Sequence, residues 1–542
     1  MKRRLSSLLL GAMVTLSASA QNPYLPLWEY IPDGEPYVFE DPDCPGKQRV
    51  YIYGSHDNLI TEYCGRDQVV WSAPVEDLLH WRYDGIIFKS ATDRDGKLLY
   101  PNGQGDVLYA PDVTMRYVQR KMSDGTIVTK PEYYLYPNNQ AGGRNGQIAR
   151  SDRPDGPFVV TNWSKDNPTI TDGVLRFDPA VFVDDDGRVY GYWGFENSYA
   201  AELDPVTMAT VKPGMEIVTD MVSGRNQKGV FRFFEASSMR KIEDKYVFVY
   251  SRFTEDGEFG LPTSNYTLAY AYGDSPLGPF KYGGTIIDGR ARDKDDNGKT
   301  IPTAYPYGNT HGSILQVNGQ WWVFYHRQTG TDEYSRQAMV APINVKVERG
   351  KGGKVTISEG EYTSEGFKTE GLNPLDKSAA GWACYLTSPK GIRQEYPNML
   401  FTGSYIKPTR RDSTSYEGPY NQKQPYCPVV NNTNGSVVGY KYFNFTATAK
   451  AEQLLLTAHV KPEGIDGTID VMIDAPKASR GGKVIASFHI KGNDAQRISE
   501  ITAKVNGLKG VKGKHPLFFV FRSTTEDRSI CELHDFQFSL LK

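Results

Sequence analysis

Asp33, Asp178 and Glu235 are the residues in this chain best suited to acid–base chemistry. They lie far apart in sequence, and each stands at or just before the head of a short β-rich run. Asp178 opens the stretch DPAVFVDDDGRVYGYWG, in which Val181-Phe182-Val183 and Val189 to Trp193 flank the turn Asp184 to Gly187. Asx-Gly between two such runs is a hairpin signal, because glycine tolerates a positive φ. The turn acids read as solvated; Asp178, outside the turn, does not. Three carboxyl groups around one pocket can divide the work of splitting a glycosidic bond. One stays protonated and serves the leaving oxygen, an ionised one activates water, and a third holds the acid's proton in place by like-charge repulsion. Glu235 suits the acid, since it has the longer reach and follows Phe233-Phe234, whose apolar surroundings raise a carboxyl pKa. Asp33 suits the base, and Asp178 the modulator. The plain alternative is that these acids cap strands or bind backbone amides beside turns.

Converging such distant residues requires a repeated element, and the chain has one. Glu235 to Met239 leads to Tyr246–Tyr250, and His311 to Leu315 leads to Trp321–Tyr325. Asp33 with Tyr37-Val38-Phe39 leads to Val50–Tyr53, and Asp112 to Met115 leads to Tyr133–Tyr136. Five hairpins headed by polar residues, recurring at roughly 55 to 85 residues, suit four-stranded blades arranged around an axis. Arg153 to Phe158 and Ser275 to Phe280 share the pattern Pro-x-Gly-Pro-Phe and read as turns into outer strands, with Asp77 to Trp81 in the comparable place of the first unit. Helical periodicity is nearly absent, so the fold class is all-β: a five-bladed β-propeller followed by a β-sandwich.

The 542 residues allow two or three domains. A net charge of −2, with no basic excess and no acidic tail, argues against a nucleic-acid partner. Residues 1–20 read as a secretory leader, with MKRR, an apolar run from Leu8 to Leu16, and Ala18-Ser19-Ala20 before Gln21. That run is too short for a transmembrane segment, and no other is long enough. The expected product is exported, periplasmic or secreted, and protein partners are not legible. The five cysteines are an odd number; a Cys44–Cys64 or a Cys384–Cys427 bridge is allowed, and no spacing suggests zinc. The domain reading is 1–20 leader, 21–350 propeller, 351–375 linker and 376–542 sandwich. Arg349 to Lys354, RGKGGK, marks an exposed turn near the propeller's end.

The ordered motifs resemble glycoside hydrolase family 43. They are Asn22 to Pro26 with Asp33, Tyr53-Gly54-Ser55-His56-Asp57, Tyr109-Ala110-Pro111-Asp112, Asp178 to Phe182, Phe234 to Ser237, His311-Gly312-Ser313 and Tyr325-His326-Arg327. The resemblance implies a five-bladed propeller and an inverting mechanism with the three roles given above. It implies terminal α-L-arabinofuranose or β-D-xylose as the sugar released from a carbohydrate substrate, with β-D-galactofuranose or another galactoside as runner-up. It requires no cofactor, although some members hold a hydrated calcium through the residue equivalent to His311. One departure stands out: Asp33 is followed by Gly34 rather than proline, and Glu35 two residues on would share its face in a regular strand. Arg327, Tyr109, Trp193 and His56 are candidates for substrate contact. A buried ion pair for Arg327 and ordinary packing for Tyr109 and Trp193 are the competing readings. Residues 376–542 resemble a carbohydrate-binding module of the family 6 type. A non-catalytic sugar-binding propeller and a protein-interaction platform are rival functions; the intact acids argue against the first, and no broad apolar or charged face is evident for the second.

Overall fold

The computed structural model describes residues 18–19, 21–59, 62–305, 307–389, 403–409, 427–494 and 497–541. All five expected hairpins are present, each forming the inner pair of an antiparallel sheet. Blade 1 runs Glu35–Glu40, Gln48–Tyr53, Gln68–Pro74 and His80–Phe88. Blade 2 runs Asp112–Lys121, Ile127–Tyr136, Ala149–Ser151 and Val159–Val160. Blade 3 comprises Ala180–Val183, Val189–Trp193, Tyr199–Leu203 and Val218–Thr219. Blade 4 comprises Phe233–Ile242, Lys245–Arg252, Thr267–Gly273 and Lys281–Asp288. Blade 5 has Ser313–Val317, Gln320–Arg327 and Gln337–Ile343.

The blades are buried on both faces, so their second strands read as continuous apolar runs rather than alternating ones. Neighbouring blades are stitched by tyrosines. Tyr53 of blade 1 donates to the carbonyl of Pro154 at 2.7 Å, and Tyr192 of blade 3 to that of Pro276 at 2.8 Å. The two Pro-x-Gly-Pro-Phe turns therefore do the same job in blades 2 and 4. The N-terminal segment closes the ring on blade 5: the Tyr24 N–H donates to Ala338 O at 3.3 Å, and the Asn22 side chain both donates to Val340 O and accepts from its N–H. Closure leaves no long unpaired edge between the first and last blades.

The RGKGGK segment lies at the turn of a small hairpin, Val345–Val347 with Val355–Ile357. Beyond it, the residues expected to form a linker are packed. Phe367 is buried, with its ring 4.8 Å from that of Trp322 and 5.9 Å from that of Trp81. The C-terminal β-sandwich faces a sheet built on Cys531–Leu540 and Leu454–Pro462 against one built on Val437–Asn444, Lys514–Arg522 and Gly467–Ile473. Tyr440, Phe519 and Phe536 interlock in its core. Leu27, Tyr266 and Tyr305 of the propeller belong to the same apolar cluster, so the two domains share a core.

Neither of the two bridges the sequence allows is formed: Cys44, Cys64, Cys384, Cys427 and Cys531 are all free thiols. Cys64 packs beside the Arg336 guanidinium and Cys427 beside the Leu27 carbonyl, where neither has a cysteine opposite. Of the expected leader, residues 1–17 and 20 lie outside the described residues; Ala18–Ser19 pair with the outer strand of blade 1. No helix among the described residues is long and apolar enough to cross a membrane.

Candidate active site

The polar heads of all five hairpins are buried around the axis. Asp33, Asp112, Asp178, Glu235 and His311 are each less than a tenth exposed. Asp33 and Asp178 sit just before their strands with left-handed φ values of 62° and 44°, and Ala236, directly after Glu235, has φ 69°. Such conformations cost about 1–3 kcal/mol each and persist where the surrounding structure imposes them. Here they turn the carboxyl groups out of strand register. The pairing of blade 4 shifts on both sides of Glu235, a bulge that re-aims this side chain. Gly54 lets the second strand of blade 1 pass close to the segment carrying Asp33; a Cβ at Gly54 would lie 2.2 Å from the Pro32 carbonyl oxygen.

Asp33 is held as a carboxylate. Ser55 donates to Oδ2 at 2.5 Å, and Arg336 Nη1 lies 3.3 Å from both oxygens. Burial alone would raise its pKa, but Arg336, His326, His311 and the Ser55 hydroxyl outweigh it and hold the group below the ordinary carboxylate value. Arg336 is itself fixed by Asp57, which accepts from Nε and Nη2 at 2.9 Å, and by a cation–π contact over Tyr63 at 4.4 Å. His326 Nδ1 accepts the Asp33 N–H at 3.1 Å and its Nε2 donates to Asn309 O at 2.9 Å, which fixes one neutral tautomer. Burial pushes its pKa down to about 3, against the pull of Asp33.

Glu235 has the opposite environment. Burial, then the charges of Asp178, Asp33 and Glu333, push its pKa well above the usual range, with His311 opposing them. Asp178 accepts from Asn138 at 2.7 Å and from the Ala236 N–H at 3.1 Å, so it is anchored to the peptide next to Glu235. His311 lies between the acids, with Nδ1 3.6 Å from Asp178 Oδ2 and Nε2 3.9 Å from Glu35 Oε1. Burial works against charge on this ring, but Asp178, Asp33 and Glu35 lift its pKa to about 9. One carboxyl kept protonated and one kept ionised, near enough for the charge of Asp33 to act on Glu235, is the pair that hydrolysis of a glycosidic bond needs.

The sequence model of the glycosyl hydrolases family 43 matches residues 40–348, more than half of the chain, from the end of the first strand of blade 1 through blade 5. The chain belongs to glycosyl hydrolase family 43. A relative named xylosidase/arabinosidase, from Thermoclostridium stercorarium, is 31% identical over 93% of this chain and 96% of its own length. An arabinoxylan arabinofuranohydrolase from Paenibacillus polymyxa is 24% identical over 91% of this chain and 69% of its own. A solved family 43 arabinoxylan arabinofuranohydrolase from Bacillus subtilis, in complex with cellotetraose, is 21% identical over 95% of this chain and 96% of that one, with a TM-score of 0.42. The chain is thus a glycoside hydrolase, built as the propeller and C-terminal β-sandwich described above, and the family's reaction requires no cofactor.

In this family 43 member the ambiguity between Asp33 and Glu35 disappears. Only Glu35 lies in the strand; it points to the axis and pairs with Arg240 at 2.8 Å and Ser238 at 3.2 Å. Asp112 is likewise structural. It accepts from Tyr37 and from the Val181 N–H, both at 2.6 Å, joining blades 1, 2 and 3, and burial beside Glu35 pushes its pKa up to about 7.

Three expected substrate contacts are placed elsewhere. Arg327 is buried against the sandwich, donating to Gln337 Oε1, Ala383 O and Gly381 O. Neighbours in a strand face opposite ways, so His326 at the pocket sends Arg327 to the other side. His56 lies between Asp67 at 2.7 Å and Glu29 at 3.1 Å, while its neighbours Ser55 and Asp57 serve the site. Trp193 is buried in the core of blades 2 and 3 and stacks on Tyr199. Tyr109 alone of the four is half-buried near the pocket, 6.3 Å from the Tyr63 ring. Arg336 and Tyr63, which control Asp33, carried no sequence signal: an arginine before a strand resembles any surface arginine.

Among the described residues no group of three His, Cys, Asp or Glu is placed to hold a metal ion. Both ring nitrogens of His311 and Glu35 Oε1 lack hydrogen-bond partners within the protein. His311 could serve a hydrated cation as a nitrogen ligand only as the neutral ring, and Asp178, Asp33 and Glu35 favour its charged form.

Proposed function

We propose that this chain is an inverting glycosidase that removes terminal α-L-arabinofuranose or β-D-xylose from oligo- or polysaccharide. The observation that carries the reading is the opposite environment of two buried carboxyls around one axis, Asp33 held down by Arg336 and Glu235 held up by burial and Asp178. Glu235 gives its proton to the leaving oxygen. Asp33 accepts a proton from water as that water attacks the anomeric carbon from the opposite face. Asp178 holds the peptide after Glu235 and keeps the acid protonated until it is used. Inversion requires a base-to-acid separation of about 6.5–9.5 Å, room for one water. The names of the first relatives, xylosidase/arabinosidase and arabinoxylan arabinofuranohydrolase, support the choice of sugar.

The test is a panel of aryl glycosides (arabinofuranoside, xyloside, galactofuranoside, galactoside) with the anomer of the first product read by NMR. Preference for a galactose-derived substrate overturns the sugar; a retained configuration overturns the mechanism. Two further parts of the reading concern the rest of the chain. Residues 1–20 act as an export leader, and terminal sequencing of the mature protein should begin at Gln21. The sandwich binds carbohydrate; a 440 Å³ cleft beside Thr468, His489 and Arg522 is where ligand-induced NMR shifts would report it.

A further inference from the structure

Four phenyl rings form a row along blades 3 and 4, beside Asp178 and Glu235. Centroids are 5.2 Å apart for Phe177 and Phe195, 4.9 Å for Phe195 and Phe234, and 4.7 Å for Phe234 and Phe253. Phe177 directly precedes Asp178, and Phe234 directly precedes Glu235. Phe234 is buried, but Phe195 is 49% exposed.

A single exposed phenyl on a loop is ordinary. The way Phe195 is held is not. The N–H of Gly194 donates to Phe177 O at 2.9 Å, and the N–H of Glu196 donates to Phe234 O at 2.6 Å. Both neighbours of Phe195 are therefore tied to the peptides that lead into the two acidic residues. Arg225 braces the far side, 3.1 Å from the Glu196 carboxylate and 4.5 Å from the Phe253 centroid. The rings are tilted against one another by 56–87°, so what is presented is the one exposed face of Phe195, fixed relative to Glu235, and it loses little freedom when something packs on it.

The chemistry of the acid identifies the occupant. Glu235 must reach the oxygen that leaves, so the leaving group lies on its side of the pocket. The CH face of a sugar is the kind of apolar surface that packs on a fixed aromatic ring. The geometry points to Phe195 as the platform for the leaving sugar, the residue just beyond the bond that breaks. This rests on the hydrolase reading above and sharpens it: the preferred substrate is one whose leaving group is itself a sugar.

The experiment compares an oligosaccharide with a glycosyl azide bearing the same terminal sugar, since azide is too short to reach the ring. Phe195→Ala should lower kcat/KM on the oligosaccharide relative to the azide by about tenfold, the size of one aromatic contact. Phe195→Trp should restore most of that ratio. Phe195→Leu, which keeps apolar packing but has no flat face, should lose it, and covers the case in which the alanine variant does not fold. An unchanged ratio in both the alanine and leucine variants, or in whichever of them folds, overturns the platform. Glu235→Gln is run alongside: full activity on the oligosaccharide would sink the hydrolase reading itself, whereas an inactive Glu235→Gln with an unchanged Phe195 ratio sinks the platform alone.

Discussion

On the flank formed by blades 1 and 5, Asp33 is surrounded by a guanidinium, a neutral imidazole and a hydroxyl. On the flank formed by blades 3 and 4, Glu235 is buried next to a second carboxylate, Asp178, and follows the buried Phe234. Both acids are equally buried and head the same kind of hairpin. Burial pushes both pKa values the same way, so the difference comes from the partners alone. The propeller supplies equivalent positions, and a few side chains from neighbouring blades decide which carboxyl keeps its proton.

Removing the acid should have the largest effect on that contrast. Glu235→Gln should reduce kcat/KM by about 10²–10⁴-fold on substrates with poor leaving groups, and by less on activated aryl glycosides. Its folded pKa is raised, so its share of stability is present at low pH and lost as pH rises through that value. At neutral pH the variant should therefore melt no lower than the parent in calorimetry. A clearly lower melting temperature would mean that the ionised glutamate is stabilised in the fold.

Arg336→Met attacks the other flank. It leaves Asp33 and Asp57 buried without their cation, a loss of about 3–5 kcal/mol in denaturant unfolding. In surviving protein the acidic limb of the pH–rate profile should move upward, because Asp33 then ionises at higher pH. The alkaline limb, which reports Glu235, should move far less. If the alkaline limb shifts as much, the two flanks are not electrically separate.

His56→Gln should cost on the order of 3 kcal/mol, because it strands Glu29 and Asp67, yet leave kcat near its parent value. The His56 pKa is raised to about 9, with burial outweighed by those two acids. Its contribution is complete below the ordinary histidine value and lost as pH rises through about 9. The stability gap between variant and parent should close over that range. A fall in kcat instead would return His56 to the substrate pocket. Arg327→Met should be milder, about 1–3 kcal/mol, since it removes hydrogen bonds between propeller and sandwich and leaves the pocket intact. Unchanged kinetics with a lower melting temperature would confirm that role.

The hairpins, the three acids and the switch to a second β-domain were legible because period-two patterning and turn chemistry are local properties of the sequence. Face was partly legible as well. His326 and Arg327 alternate within a strand, which allows only one of them to reach Asp33, and Ser55, His56 and Asp57 alternate likewise in the extended segment after the strand Gln48–Tyr53. Which of them it is depends on which neighbour meets Asp33, and that is a contact between residues hundreds apart in sequence. Phe367 and its neighbours read as a linker because a short irregular segment carries no local mark of the surface it will cover.

By itself the sequence determined the class of fold, the number of blades and the places of Asp33, Asp178 and Glu235 at the heads of their hairpins, because repeats and turns are written in neighbouring residues. Only the closed ring decided that Arg336 rather than Arg327 meets Asp33, that the cysteines stay apart, and that Phe195 stands fixed beside the segment carrying Glu235. Those outcomes depend on distances across the axis, which arise when blades from opposite ends of the chain are brought edge to edge.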